Sequence, residues 1–474
     1  MTTMTDTTAA APRTELLDEG LLDLAHRRSV EYLRGVGERH VGARASREEL
    51  LRGLDAPLTE NGEDAEHVLE TLVAQAERGA VATVGPRYFG FVIGGVLPVT
   101  LAAEWLTSTW DQNAGIFATS PVGNTVEEVA GRWLTELFDL PRELSVGFVT
   151  GCQMANFTAL AAARHGVLRR AGWNVEEDGI IGAPRINIVA SAESHVTIDV
   201  ALRFLGFGTR NILRVESDGQ GRMRPERLRR LLDNLTGPTI VCAQAGNVNT
   251  GAFDPLREIA EIAHEHGAWL HVDSAFGLWA RASNALRHLA DGIELADSWA
   301  TDAHKWLNVP YDSGIVFVRD TAAHRAAMTS KAAYLMQTTG EERDAIDWAP
   351  EFSRRARGFA VYAALRTLGR RGVEDLIDRN CARARQLAEL LRGTPGVDVL
   401  NDVVLNQVLV RFGDDDEKTR DVIARVQQDG TCWLGGTTWH GVGAMRVSFS
   451  NWATSEEDVV RSGEAILRAW DAAR

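Results

Sequence analysis

Lysine is almost missing from this 474-residue chain: of its 50 Lys and Arg residues only three are lysine, Lys305, Lys331 and Lys418. Cysteine is scarce too, and the four present, Cys152, Cys242, Cys381 and Cys432, are far apart with no C-x-x-C pair. That spacing argues against a structural zinc site or a disulfide scaffold and suits free thiols in a reducing cytoplasm. No stretch approaches the roughly 20 apolar residues of a membrane-spanning helix. The opening "MTTMTDTTAAAPRT" has neither a basic start nor an apolar run of signal-peptide length. Positive charge is in deficit, with a net charge of -15, which argues against a nucleic-acid partner. What remains, 45% hydrophobic and 24% charged, is the composition of a globular enzyme.

The texture of the chain changes along its length. Residues 1–14 are Thr/Ala-rich without an apolar face and read as a disordered tail. Residues 15–80 carry apolar positions at three- and four-residue spacing, as in "LLDLAHRRSVEYLRGV", and predict a helical segment. From residue 81 to 350 short apolar runs such as "VGFVTG", "INIVA", "TIVCAQA", "WLHVDSA" and "GIVFVR" alternate with helical stretches. Such alternation predicts an α/β domain, a mostly parallel sheet with helices on both faces. Residues 351–474 mix a long helical pattern with "VVLNQVLVRF" and "AMRVSFS", and suggest a smaller α+β domain.

Arginine stays protonated in proteins, whereas lysine can lose its proton and become a nucleophile. A lysine kept in a chain so biased towards arginine therefore invites a chemical role. Lys418 follows "DDDE" and Lys331 lies in a mixed loop region, but Lys305 sits in "DSWATDAHKWLNVPYDSG" after a buried strand. Upstream, "WLHVDSA" ends a strand in Asp273, where parallel sheets place ligands, although a helix N-cap is an alternative role. "GFVTGCQMANFTALAAAR" reads as strand, turn and helix, whose first N–H groups suit a phosphate. His195 follows the strand "INIVA" and, taken alone, is better explained by a structural hydrogen bond than by catalysis. Together an amine, an acid, an anion cup and a flat imidazole match the needs of pyridoxal 5′-phosphate.

Over residues 80–455 the chain resembles the pyridoxal-phosphate-dependent group II amino-acid decarboxylases, of the aspartate-aminotransferase-like fold type I. "DAHKWLNVPYDSG" is the most specific stretch, and "SPVGNTVEEVAGRWL" resembles the family's Ser-Pro...Glu segment. The resemblance implies that Lys305 carries the cofactor as an aldimine and that Asp273 pairs with the pyridinium nitrogen. It implies Ala275 and His195 on the two ring faces, and Gly151, Cys152 and Gln153 as the phosphate cup. Asp302 and His304 would help to hold the cofactor, Asn247 stands where the family commonly has threonine, and a homodimer is implied.

Three departures bear on the reaction. Cys152 and Gln153 are bulkier than the family's usual cup residues. Aligning Trp348 and the pair Arg354–Arg355 puts Ala345 where many members have a proton-donating tyrosine; Tyr334 is the nearest tyrosine, and His195 is an alternative acid. Arg446 in "AMRVSFS" resembles the arginine with which aminotransferases of this fold clamp the substrate carboxylate, though strand pairing would also explain it.

The expected substrate pocket is aromatic. Tyr88, Phe89 and Phe91 in "PRYFGFVIGG" match the family's pocket segment, and Ile116 and Phe117 would reach a neighbouring subunit's site. Core packing accounts for the same residues equally well. "GGTTWHGVG" puts Trp439 and His440 in a loop near the pocket or in a simple turn. "HEHG" at His264 lacks metal-ligand spacing and reads as mid-helix and solvent-facing, so no metal is expected. The expectation is decarboxylation of an aromatic or other sizeable L-amino acid. Decarboxylating oxidative deamination, amino transfer and a scaffold without chemistry are the alternatives.

Overall fold

The structure is a computed structural model and describes residues 17–329 and 342–474. The expected tail, Lys331 and Tyr334 lie outside the described residues. Of the described residues, those from 17 to 82 form one compact unit and those from 83 onward a second. The first holds α1 (Glu19–Gly35), α2 (Arg47–Leu54) and α3 (Ala65–Gly79). Side chains cap all three, and Ser46 and Glu49 close a reciprocal capping box on α2.

The second unit opens with α4 (Pro98–Trp110) and α5 (Pro121–Leu137), each with proline in its first turn. Its large sheet contains β1 (Ser145–Val149), β2 (Asn187–Ser191), β3 (Ile212–Val215), β4 (Thr239–Gln244), β5 (Trp269–Asp273), β6 (Ser298–Asp302) and β7 (Gly314–Val318). The order is β1-β7-β6-β5-β4-β2-β3, with β2 to β6 mutually parallel. β7 runs antiparallel to both β6 and β1. The central strands are buried on both faces, as a sheet covered by helices requires.

A second sheet, all antiparallel, contains β8 (Val397–Val399), β9 (Gln407–Phe412), β10 (Gly435–Trp439) and β11 (Val442–Ser448) in the order β10-β11-β9-β8. The helix Gly358–Leu391 leads into it. The mostly parallel sheet and the smaller C-terminal sheet match the expected α/β and α+β parts of the chain.

The Arg354 side chain is fully buried: it donates to Glu127 at 2.8 Å and to the carbonyls of Ala114 and Phe148. Its neighbour Arg355 turns outward and pairs with Glu104. His264 differs from its expected place. It lies in the last turn of the helix Leu256–Glu265, which Gly267 ends at φ 64°, and it faces Asp297 at 3.2 Å.

Candidate active site

The parallel strands deliver their carboxyl ends to one place. Alternation along β5 puts Trp269, His271 and Asp273 on one face of the sheet. β6 ends beside it at Asp302, and the short turn Ala303–Trp306 then presents Lys305. Lys305 Nζ lies 2.8 Å from Asp302 Oδ2, and His304 Nε2 lies 3.4 Å from Asp302 Oδ1. Asp302 Oδ1 also accepts the backbone N–H of Cys152 at 2.6 Å. Cys152 is the first residue of α6 (Cys152–Arg170), whose N-cap Gly151 supplies no capping side chain.

Burial works most strongly against the Lys305 ammonium, yet attraction to Asp302, with Cys152 and Asp273 adding, leaves its pKa above the ordinary lysine value. Burial likewise raises the Cys152 thiol well above its usual range, with Asp273 and Asp302 reinforcing it. Asp273, 4% exposed, accepts the Ala275 N–H at 3.2 Å, the Cys152 thiol at 3.5 Å and an Asn156 amide N–H at 3.3 Å.

His195 caps the helix Val196–Phe204, and its Nδ1 lies 2.8 Å from the Thr197 hydroxyl. Burial lowers its pKa, Asp273 opposes, and the positive charges of Lys305 and Arg446 lower it further. Arg446, on β11, donates to the Val248 carbonyl at 3.3 Å. Its pKa is lowered by burial alone, so no carboxylate among the described residues compensates its charge.

The segment before α4 presses onto the lysine. A Cβ on Gly94 would lie 1.8 Å from the Lys305 carbonyl oxygen, so only glycine fits. The buried Asn308 side chain accepts from Gly95 and Trp452 N–H groups, tying this segment to the turn after Lys305. Phe91 and Val92 hold left-handed backbone angles, φ 54° and 57°, uncommon for such side chains.

The structure brings Lys305, Asp302, His304, Asp273, Ala275, Cys152 and His195 into one cluster. Gln153 is exposed in the first turn of α6, and Asn247 reaches the Glu193 carbonyl at 3.4 Å. Tyr88 stacks on Trp433 at 5.1 Å, and Phe91, 62% exposed, lies against the same ring. Phe89 points the other way. This extended segment bonds to Trp433 and Ser448, so neighbouring residues face opposite sides, and Phe89 packs on Phe449 in the C-terminal core. Its place is behind the pocket wall rather than in it.

Phe117 bonds through its backbone to Asp344 at 2.7 Å, and Ala345 is buried with its N–H on Asn124. Trp439 is buried beside Leu409 and Ala444 and stacks on His440, at the tight turn between β10 and β11. Besides Trp433, two site residues escaped the sequence reading. Tyr311 stacks on His304 at 4.2 Å, although it lies within the quoted lysine motif. Asn156 carried no signal beyond its position one turn into the anion-cup helix.

Lysine amine, strand-end carboxylate and a helix N-terminus headed by Gly151, with the partly buried Arg446 guanidinium nearby, are a donor set that fits pyridoxal 5′-phosphate. Fold and site together define a pyridoxal-phosphate-dependent enzyme of fold type I. The pyridoxal-dependent decarboxylase conserved domain matches residues 48–412, and the chain belongs to that family of lyases.

The acidic amino acid decarboxylase of Bos taurus is 32% identical over 361 residues, 74% of this chain and 68% of that protein. Tryptophan decarboxylase 1 of Oryza sativa subsp. japonica is 27% identical over 423 residues, 82% of this chain and 81% of that protein. Among solved structures, mouse CSAD has a TM-score of 0.87 at 26% identity, covering 95% of this chain and 98% of that one. Oryza sativa TDC with PLP and tryptamine has a TM-score of 0.90 at 24% identity, covering 97% and 99%, a likeness of fold. This chain is a pyridoxal-phosphate-dependent amino-acid decarboxylase by family. Among the described residues no helix is long and apolar enough to cross a membrane.

Proposed function

We propose that the chain decarboxylates an aromatic or other sizeable L-amino acid at a cofactor carried by Lys305. The observation that carries this reading is the convergence of Lys305 Nζ, Asp302, Asp273 and the start of α6. Asp273 would hold the pyridinium nitrogen, Ala275 and His195 the ring faces, and Gly151, Cys152, Gln153, His304 and Asn247 the remaining edges. Bound there, the cofactor supplies the electron sink that lets the substrate's carboxylate bond break.

Arg446 would take a substrate carboxylate. The Arg446 charge reaches His195, and no carboxylate among the described residues compensates it. An apolar substrate side chain needs no second cation. Tyr88, Phe91 and Trp433 supply an aromatic wall of matching character. His195 is the proposed proton donor to the substrate carbon, and because burial lowers its pKa the imidazolium it needs gains population as pH falls.

Exposed apolar side chains on and near α4, Trp105, Leu106, Trp110 and Phe352, support a homodimer. Four buried free thiols suit a cytoplasmic setting, and the acidic charge suits a protein without a nucleic-acid partner.

Ala345, buried and without a hydroxyl, favours a second reading, decarboxylating oxidative deamination to an aldehyde. The two part on a gas balance with tryptophan, tyrosine, phenylalanine, cysteine sulfinate, aspartate and glutamate. Carbon dioxide without ammonia or oxygen uptake supports decarboxylation, and all three together support the aldehyde route. Amino transfer to a 2-oxo acid without carbon dioxide contradicts both. Turnover of the acidic substrates alone contradicts the aromatic assignment.

A further inference from the structure

Behind Asp273 runs a line of buried polar side chains that the proposed reaction does not use directly. Trp269 Nε1 lies 2.9 Å from Ser298 Oγ, and Ser298 Oγ lies 3.0 Å from His271 Nδ1. His271 Nε2 lies 2.9 Å from Asn156 Oδ1, and Asn156 Nδ2 lies 3.3 Å from Asp273 Oδ2. Trp269 is 2% exposed, and Ser298, His271 and Asn156 are each 0% exposed. A buried polar group without a partner is costly, so a closed line of this length is a built feature.

The direction of every bond is dictated by its ends. An indole N–H can only donate, and an ionised carboxylate can only accept. Trp269 therefore donates to Ser298; from the other end Asp273 takes the Asn156 amide N–H, so Asn156 Oδ1 must accept from His271 Nε2–H, and the neutral ring takes the Ser298 hydroxyl proton at Nδ1. His271 is then the Nε2–H tautomer and donates to the Asn156 carbonyl oxygen, which turns the Asn156 amide nitrogen towards Asp273. Burial, which pushes the His271 pKa down to about 4, keeps that imidazole neutral at physiological pH.

Asn156 also branches. Its Nδ2 lies 3.4 Å from Thr197 Oγ1, which leaves the Thr197 proton for His195 Nδ1 at 2.8 Å. One amide thus addresses both residues assigned to the cofactor ring.

Local structure shows how the line is assembled. Trp269, His271 and Asp273 share a face of β5 by alternation, and Ser298 lies opposite His271 in the register of β6. α6 covers that face and supplies Asn156. Gly166 of α6 makes room for the indole, since a Cβ there would lie 2.7 Å from the Trp269 ring.

We propose that Asn156, set by the Trp269–Ser298–His271 line, is a positioning residue that holds Asp273 and His195 each in a single hydrogen-bonded state. The proposal rests on the assignment of Asp273 and His195 to pyridoxal 5′-phosphate.

Two measurements test it on the holoenzyme. Nitrogen-15 NMR of labelled histidine should find His271 as the neutral Nε2–H tautomer from pH 5.5 to 8, a range that begins about 1.5 units above its lowered pKa. An Nδ1–H tautomer or an imidazolium at pH 7 overturns the line. The second compares Ser298→Ala, which removes the hydroxyl, with Ser298→Thr, which keeps it.

The alanine variant should shift the pH midpoint of the lysine-bound cofactor's absorbance by about half a unit or more. It should also weaken cofactor retention on the order of 10-fold, the worth of a hydrogen bond to a charged group. Ser298→Thr should restore both. No change in Ser298→Ala, or equal loss in the two variants, overturns the proposal and leaves Ser298 a packing residue. A wild type without any lysine-bound absorbance is a different failure, that of the cofactor assignment.

Discussion

Asp302 and Lys305 form an ion pair, 2.8 Å from carboxylate to ammonium, and the same carboxylate takes the leading N–H of α6 through Cys152. The attachment lysine is therefore held cationic by the residue that also holds the head of the anion cup. Cofactor attachment needs the neutral amine, so Asp302 sets a proton cost on loading.

Asp302→Asn removes the charge that raises the Lys305 pKa. The pH midpoint for appearance of the lysine-bound absorbance on adding pyridoxal 5′-phosphate should move to lower pH. A midpoint that stays or rises would show that Asp302 does not control the amine.

Arg446 is partly buried and answers to a backbone carbonyl rather than a carboxylate. Arg446→Met should lower kcat/KM by roughly 10- to 100-fold, the scale of a lost hydrogen-bonded charge pair. The cofactor absorbance should be unchanged. Loss of that absorbance instead would place Arg446 in cofactor binding.

Burial lowers the pKa of His271 to about 4 and of His324 to about 3, from 6.5. Unfolded, both histidines take up protons below pH 6.5; folded, they stay neutral until far lower pH. The unfolded state thus binds more protons in that window, and stability falls as pH drops from about 6.5 towards 4. Above pH 7 this contribution is flat. Urea midpoints at pH 5 and 7.5 should differ accordingly, and His324→Phe should flatten the difference.

Much of the site was legible because its signals are local. "WLHVDSA" is a short apolar run that ends in Asp273, which marked that residue as a strand end, and the scarcity of lysine singled out Lys305. What escaped depends on contacts distant in sequence. Asn156 and Asp273 are 117 positions apart, and no pattern within α6 marks the face on which Asn156 sits. The reversed direction of β7 is equally silent, since a run such as "GIVFV" reads the same in either sense. Phe89 falls with Tyr88 and Phe91 in the segment that resembles the family's pocket lining, and only its bonds to Trp433 and Ser448 decide which way it turns.

The most direct test of the central claim is the visible spectrum of the purified protein with pyridoxal 5′-phosphate, wild type beside Lys305→Ala. A band near 400–430 nm, roughly that of a lysine-bound pyridoxal imine, present in wild type and lost in the variant, is the predicted result. A wild type that shows no such band at saturating cofactor, or a variant that keeps it, would contradict the account.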